Sequence, residues 1–253
     1  MKLTEIPTTA PKGLTKKAIK KETDKIARAI ADRQHLLYAE DKKSLLVVLQ
    51  GMDASGKDGT TRRAFSWCSP TGVWAYAFKK PTEEEFDHDF LWRVHKVVPR
   101  KGMIQVFNRS HYEDVLIQRV HKWIDEDQVN ARFNAINAFE ELLTVDNQTK
   151  VLKFYLHISP ERQLEKLQER IDVPTKRWKH NPNDWEERKM WEEYMRCYED
   201  VINRSTIPWI IAPVDQRWYR NYFIASKVLE TLKSMNLEYP KLETDREEWK
   251  KYV

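Results

Sequence analysis

The chain has 253 residues, of which 41% are hydrophobic and 11% aromatic, and this suits one large α/β domain with little room for a second. Lys and Arg outnumber Asp and Glu by 44 to 39, and a net charge of +5 does not by itself indicate a nucleic-acid or membrane partner. Two cysteines cannot form a disulfide scaffold, no apolar run approaches the ~20 residues of a membrane span, and the first residues lack a signal peptide's apolar core. We therefore expect a cytoplasmic protein.

The predicted elements alternate between helices and strands. Residues 1–20 combine Pro and Thr with many lysines and are expected to form a loosely held arm, before a helical pattern over residues 22–39. Residues 44–50 (SLLVVLQ) form an aliphatic run typical of a strand that is buried on both faces. Further strands are predicted at residues 73–78, 103–107, 151–158 and 209–214. Further helices are predicted at residues 57–67, 82–97, 113–123, 128–145 and 217–235, with another beginning at Ser159-Pro160.

This order predicts an α/β fold, in which a parallel five-stranded sheet carries helices on both faces within a single domain over residues 1–253. One polar segment interrupts the pattern: residues 172–184 (DVPTKRWKHNPND) carry two prolines and several basic residues between helices. We expect a mobile lid over residues 172–188 that closes over a substrate. The lid cations are Lys176, Arg177 and Lys179, with Arg170 as the arginine at the lid base.

A glycine-bearing turn joins the first strand to the next helix. Residues 51–57 (GMDASGK) match the pattern G-x-x-x-x-G-K in the position that a phosphate-binding loop requires. The glycines let backbone N–H groups turn toward an anion, the helix N-terminus adds positive potential, and the lysine reaches the outer phosphates. The expected phosphate ligands lie in this loop and one helical turn beyond it: Gly51, Ala54, Ser55, Gly56, Lys57, Asp58, Gly59, Arg62 and Arg63.

The loop departs from its usual form at two positions. Asp58 replaces the Ser or Thr whose hydroxyl normally reaches Mg²⁺, and Asp53 places a carboxylate inside the loop. This carboxylate suits Mg²⁺ or an attacking oxygen that must be oriented or deprotonated; the alternative is a simple turn cap. Thr60 and Thr61 are candidate replacement hydroxyls.

A second polar motif, residues 107–114 (FNRSHYED), follows the third strand, at an edge of the sheet where ligands bind. Asn108 stands where P-loop enzymes often carry a metal-holding Asp, and Arg109 beside it can clamp phosphate with its planar fork. Glu113 and Asp114 offer carboxylates at the head of the next predicted helix, where plain capping is the alternative. Asp53 and Glu113 are the candidate metal ligands.

Together these segments resemble the second family of polyphosphate kinases, which have a P-loop fold like that of thymidylate kinase. The resemblance runs from the helix before Ser44 to about Leu232. It is carried by five strings in order: GMDASGKDGT at residues 51–60, HDFLWR at 88–93, FNRSHYEDVL at 107–116, KRWKHNPNDWEER at 176–188 and TIPWIIAPVD at 206–215. It implies reversible phosphoryl transfer between inorganic polyphosphate and a nucleotide, with Mg²⁺ or Mn²⁺.

The resemblance also implies roles for single residues: Asp53, Lys57, Arg62 and Arg109 in catalysis, with Asn108 and the lid's basic residues beside them. Many members carry Asp where this chain has Asn108, and this departure leaves open whether the position binds metal or nucleotide. The pattern HYEDVL is similar to members that accept both nucleoside mono- and diphosphates, and Glu113 most separates it from the diphosphate-specific pattern. The implied nucleotides are AMP, ADP, GMP, GDP and ATP, and the implied assembly is a homodimer or homotetramer.

Polyphosphate is a long flexible anion, so its binding needs a row of cations rather than one pocket. The candidates are Lys57, Arg62, Arg63, Lys79, Lys80, Arg109 and Arg119. Two other functions fit parts of the sequence: an ATP-dependent kinase, against which the missing hydroxyl argues, and a non-catalytic polyanion-binding protein. No recognised nucleic-acid-reading motif is present, and a phosphate loop with a lid has no use in a passive binder.

Overall fold

In the computed structural model, which describes residues 1–241, five parallel strands form one sheet in the order β2-β3-β1-β4-β5. The strands are β1 (Ser44–Gln50), β2 (Val73–Ala77), β3 (Ile104–Asn108), β4 (Thr149–His157) and β5 (Trp209–Pro213). The helices are α1 (Lys16–Glu40), α2 (Lys57–Ala64), α3 (Glu83–Phe86), α4 (Trp92–His95), α5 (Ile117–Val120), α6 (Glu126–Val145), α7 (Pro160–Asp172), α8 (Asn183–Lys189), α9 (Trp191–Arg204) and α10 (Arg217–Ser234). The predicted parallel five-stranded fold is confirmed; residues 242–253 of the predicted domain lie outside the described residues. Within residues 1–241, the helices are all too short or too polar to cross a membrane.

The central strand β1 positions the phosphate loop. All seven of its residues are buried, because β3 and β4 flank it and both faces of the sheet are covered. Its end lies level with the end of β3, where Leu49 pairs in register with Asn108. The loop after β1 and the polar motif after β3 therefore meet at one edge of the sheet.

The N-terminal arm is held more firmly than its composition predicts. Leu3 is 1% exposed, and its backbone N–H donates to Glu199 of α9 at 2.7 Å. Its carbonyl oxygen lies 3.1 Å from the ring Nε2 of His157, the last residue of β4. Helix α1 then begins at Lys16 rather than at residue 22. The predicted loose arm is wrong here, because partners distant in the sequence anchor the first residues.

The predicted helix over residues 82–97 is interrupted. Thr82 and Glu85 do form a reciprocal capping box at its start. Helix α3 nevertheless ends after one turn, and the side chain of Asp89 accepts the N–H of Leu91 in a new turn before α4. The local signal predicted where the helix begins but not where it ends.

The predicted helix over residues 113–123 is also divided. A 3-10 helix, His111–Val115, carries Glu113 and Asp114, and α5 follows it after a change of direction at Leu116. The two carboxylates therefore belong to a tight turn packed against the sheet rather than to the head of a long α-helix.

A buried ionic network holds this 3-10 helix in place. Glu140 of α6 and Lys153 of β4 pair with no exposure to solvent. The Tyr112 hydroxyl accepts from Lys153 Nζ at 2.6 Å and donates to Glu140 Oε1 at 3.0 Å, and His111 Nε2 lies 3.3 Å from the same oxygen. Burial alone would raise the pKa of Glu140, but the hydrogen bond from His111 and the charge of Lys153 keep it below its ordinary value. The network thus fixes the backbone that follows β3.

We predict that Glu140→Gln lowers the free energy of unfolding by about 3–5 kcal/mol, because it leaves the Lys153 ammonium buried without a counter-charge. Urea denaturation measures the change. Glu141→Gln, the same change at the adjacent exposed position, should stay within about 0.5 kcal/mol of the wild type. Equal stability of the two variants would contradict a structural role for the network.

Candidate active site

The phosphate loop is shaped from below by a buried arginine. Ala54 and Gly56 have positive φ angles of 65° and 96°. A Cβ at Gly56 would lie 1.7 Å from Nη1 of Arg220, which donates to the Ser55 carbonyl oxygen at 3.2 Å. The Ser55 hydroxyl is buried and lacks a hydrogen-bond partner among residues 1–241. Arg220 therefore fixes the loop and adds positive charge to the cleft beside it.

The loop lysine is folded against its own loop. Lys57 Nζ donates to the carbonyl oxygens of Gly51 at 2.8 Å and Met52 at 3.3 Å. Burial, with the nearby charge of Arg109, lowers the pKa of Lys57 to about 8. In the free protein this ammonium thus loses its proton more readily than an ordinary lysine.

The two threonines that follow the loop in α2 are hydrogen-bonded within their own helix. The hydroxyls of Thr60 and Thr61 donate to backbone carbonyl oxygens one turn earlier, at 3.1 and 3.3 Å. Asp58 instead accepts a hydrogen bond from the Asn108 amide and lies 3.7 Å from Lys179 Nζ. Asp58 therefore links the loop to the second motif and to the predicted lid.

Arg109 joins the loop to the second motif. Its φ of 63° is unusual for a residue with a side chain, and its N–H donates to the Leu49 carbonyl oxygen at 3.0 Å. Nη2 donates to Asp53 Oδ1 at 2.6 Å, and Nη1 lies 3.6 Å from Glu113 Oε2. Burial alone would raise the pKa of Asp53, but the charges of Arg109, Lys57 and Arg170 keep it below its ordinary value. One guanidinium thus holds two carboxylates that have been predicted as metal ligands.

The cleft above the loop concentrates positive charge. It has a volume of about 440 Å³, and ten of its lining residues are basic against four acidic ones. This excess is larger than the +5 of the whole chain. The basic residues are Lys57, Arg62, Arg109, Arg162, Lys166, Arg170, Lys176, Lys179, Arg217 and Arg220. The cleft therefore suits a multiply charged anion.

A second, larger groove of about 900 Å³ continues from this cleft. Six residues line both, among them Arg162, Lys166 and Arg217. The groove extends past α7 to Lys16 and Lys20 of α1, and seven of its lining residues are basic against four acidic ones. The positive lining thus continues beyond the phosphate loop.

Five predicted cations lie outside the cleft, and one of them, Lys79, lines neither the cleft nor the second groove. Arg119 is buried and pairs with both Glu126 and Asp200, so the predicted contact with polyphosphate is wrong, because two carboxylates already neutralise it. Arg63 lines the second groove but not the cleft. Lys80 and Arg177 line neither.

The two carboxylates of the 3-10 helix also stand back from the cleft lining. Glu113 accepts a hydrogen bond from the Gln50 side chain at 3.0 Å. Asp114 accepts from Gln118, and its backbone carbonyl oxygen accepts from Arg132 at 2.8 Å. Burial raises the pKa of Asp114 to about 7. Only Glu113 contacts Arg109, so it is the one connected to the loop.

The sequence prediction missed the basic residues that follow β4 and β5. Arg162 and Lys166 lie in the first turns of α7, and Arg217 and Arg220 in the first turn of α10. These helices follow their strands as α2 follows β1. The rule that ligands bind at the carboxyl ends of parallel strands, applied to every strand, would have found them.

The predicted lid segment reaches the cleft. It forms a 3-10 helix, Pro174–Lys179, followed by α8, and both Lys176 and Lys179 line the cleft. Arg170 at its base pairs with Asp184 and donates to the Lys179 carbonyl oxygen at 3.4 Å. Arg170 therefore holds both ends of the segment together.

We predict that Gly56→Ala weakens the binding of inorganic triphosphate at least about tenfold, because a methyl group would displace Arg220 from beneath the loop. Isothermal calorimetry measures the affinity. Gly13→Ala is the matched control, since Gly13 has a φ of 87° but no atom of residues 1–241 within 4 Å of the place that a Cβ would occupy. Equal affinities of the two variants would contradict the role of Arg220.

We predict that triphosphate affinity falls about tenfold between pH 7 and pH 9, because the charge on Lys57 is lost as the pH rises through its lowered pKa of about 8. Calorimetric titrations with triphosphate at pH 7 and at pH 9 measure the two affinities. Lys57→Arg keeps its charge across this range and should show a much smaller change. A wild type whose affinity is constant from pH 7 to pH 9 would contradict this titration.

The comparisons with known proteins point to one family. The family model for polyphosphate kinase 2 matches residues 13–240. The chain is 45% identical over 223 residues to the AMP/ADP-polyphosphate phosphotransferase of Meiothermus ruber, covering 87% of this chain and 83% of that protein. It is 37% identical over 226 residues to the ADP-polyphosphate phosphotransferase of Rhodopseudomonas palustris, covering 83% of this chain and 78% of that protein.

A solved structure shows the same similarity over the whole fold. The crystal structure of polyphosphate kinase 2 from Arthrobacter aurescens TC1 superposes with a TM-score of 0.95 at 37% identity, covering 100% of this chain and 92% of that one. A phosphate loop after β1, a cation-rich cleft and these matches lead to one conclusion: the chain belongs to the polyphosphate kinase 2 family.

Proposed function

We propose that the chain transfers a phosphoryl group from inorganic polyphosphate to a purine nucleotide, AMP or ADP and GMP or GDP, and that the reaction is reversible. The observation that carries this proposal is the continuity of the cation-lined cleft with the second groove. A nucleotide triphosphate needs cations at three phosphates, whereas this lining continues to α1. The names of two relatives, an AMP/ADP- and an ADP-polyphosphate phosphotransferase, support the same assignment.

The residues around the loop suit an in-line transfer. An oxygen of the nucleotide's last phosphate attacks the terminal phosphorus of polyphosphate, and the bridging P–O bond breaks, so that the polyphosphate leaves one unit shorter. Lys57 and Arg62 lie where they would neutralise the phosphates of the donor, and Arg109 reaches from the second motif to Asp53 of the loop. Catalysis of this kind consists mainly of positioning and charge stabilisation.

Mg²⁺ or Mn²⁺ belongs to this proposal. Asp53 is ionised and lines the cleft, and Arg109 brings Glu113 toward it. Mg²⁺ is usually bound by one or two carboxylates together with substrate phosphates, and these two side chains fit that pattern. When bound, the ion would neutralise charge on the transferred group. A cytoplasmic location and a homodimer or homotetramer are also proposed, on the family resemblance; two free thiols suit a reducing compartment.

An ATP-dependent kinase is the alternative. It is disfavoured because Asp58 replaces the hydroxyl that normally reaches Mg²⁺. A matrix of AMP, ADP, GMP and GDP against polyphosphate or ATP as sole donor separates the two functions. Product from polyphosphate supports the proposal; product from ATP alone supports the alternative; binding without turnover indicates a passive polyanion binder.

We propose that the segment over residues 172–188 closes over the reacting phosphates and predict that Lys176→Gln with Lys179→Gln raises the KM for polyphosphate about tenfold, since both cations line the cleft. Steady-state kinetics measure it. Arg177→Gln removes a cation from the same 3-10 helix outside the cleft and should change KM less than about twofold. A change in log KM for the double variant no more than twice that for Arg177→Gln would indicate that the segment acts only through net charge.

We predict that Glu113→Asn lowers kcat/KM for AMP about 10²-fold and for ADP much less. The acceptor oxygen of a monophosphate lies one phosphate nearer the nucleoside, so AMP must sit deeper or be held through a bridging cation, and Asn lacks the charge for this. Assays with AMP and with ADP measure the ratio. Equal loss with both substrates would contradict this role of Glu113, as would no loss with either.

A further inference from the structure

Gln50 occupies a position where a polar side chain needs an explanation. It is the last residue of the buried strand β1 and directly precedes the phosphate loop, and it is 1% exposed. Its Nε2 donates to Glu113 Oε1 at 3.0 Å. Its Oε1 is buried and lacks a hydrogen-bond partner within residues 1–241.

The hydrogen bond that the Gln50 amide donates to Glu113 explains why the amide oxygen is unpaired. A carboxylate can only accept hydrogen bonds, so the NH₂ group of Gln50 must face it, and the oxygen must then face away. An unpaired buried acceptor is unfavourable, whereas an aliphatic residue would complete the run of Leu and Val in β1 without that cost. The amide is therefore explained by Glu113 and not by the packing of the strand.

The contact completes a chain of four side chains. Gln50 holds one oxygen of Glu113, the other lies near Arg109, and Arg109 bonds to Asp53 of the loop. Gln50 is the rigid end of this chain, because its backbone lies in the centre of the sheet. The charged and titratable groups that act on Glu113 from its surroundings are Lys57, Arg109, Asp114, Tyr194 and Tyr198.

We propose that Gln50 is a specificity-determining positioning residue, which fixes the Glu113 carboxylate where it selects a nucleoside monophosphate as acceptor. The inference rests on the proposed role of Glu113. Gln50 acts through one donated hydrogen bond, so removing the donor should change substrate choice although the Glu113 residue is unchanged.

The test compares Gln50→Leu with Gln105→Leu. Gln105 is a buried glutamine on the neighbouring strand β3, in register with Leu46 and away from Glu113. We expect Gln50→Leu to lower the ratio of kcat/KM for AMP to that for ADP about tenfold, and Gln105→Leu to leave the ratio unchanged even if it lowers the melting temperature equally. An unchanged ratio in Gln50→Leu would overturn the proposal.

A second variant covers the case in which Gln50→Leu does not fold. Gln50→Met keeps the length of the side chain but lacks the N–H donor that reaches Glu113. The AMP-to-ADP ratio should fall about tenfold, as in Gln50→Leu. A ratio equal to that of the wild type would overturn the proposal.

A binding measurement separates failure of this inference from failure of the proposed function. Calorimetry of AMP with Mg²⁺, without polyphosphate, needs no turnover. If the wild type binds AMP more tightly than Gln50→Leu but makes no product from polyphosphate, the proposed function fails and the role of Gln50 stands. An unchanged AMP-to-ADP ratio of kcat/KM in Gln50→Leu, with normal wild-type turnover, would overturn the role of Gln50 alone.

Discussion

The ion pair between Arg109 and Asp53 connects the two halves of the site. Asp53 belongs to the loop after β1 and Arg109 to the motif after β3, and these strands are neighbours whose ends lie level. The left-handed backbone of Arg109 turns the chain immediately after β3, while its N–H stays bonded to β1. The buried network around Glu140 then fixes the 3-10 helix that follows. The geometry of the loop thus depends on contacts made well below the cleft.

Gathering ten basic residues around one cleft creates repulsion that the fold must offset. Carboxylates among these residues reduce part of the repulsion. Asp53 pairs with Arg109, and Glu169 pairs with both Lys166 and Lys176. Burial also disfavours the positive charge of Arg220 and lowers its pKa to about 10. A bound polyanion would relieve this repulsion, so the clustered charge favours the binding of such a ligand.

The parts of the site that lie close in sequence were predictable, and those made by distant contacts were not. The aliphatic run of β1 and the glycines of the loop carry their own signals, so residues 44–57 were predicted with the correct bounds of the strand and the correct start of α2. Arg119 was misjudged because its partner Asp200 comes from a helix far along the chain. The place of Arg220 after β5 was predictable, but its contact with Gly56 was not, because it joins α10 to the loop after β1. The anchored arm was missed for the same reason, since Leu3 packs against elements at the other end of the chain.

The central claim is that this cation-lined cleft serves polyphosphate as phosphoryl donor. The most direct measurement incubates uniformly radiolabelled polyphosphate with unlabelled AMP and Mg²⁺ in the absence of ATP, and then separates the nucleotides. We expect the label in the terminal phosphate of ADP, with a loss of about 10²–10³-fold in rate for Asp53→Asn. Unlabelled nucleotides after complete incubation, or equal labelling by Asp53→Asn, would contradict the claim.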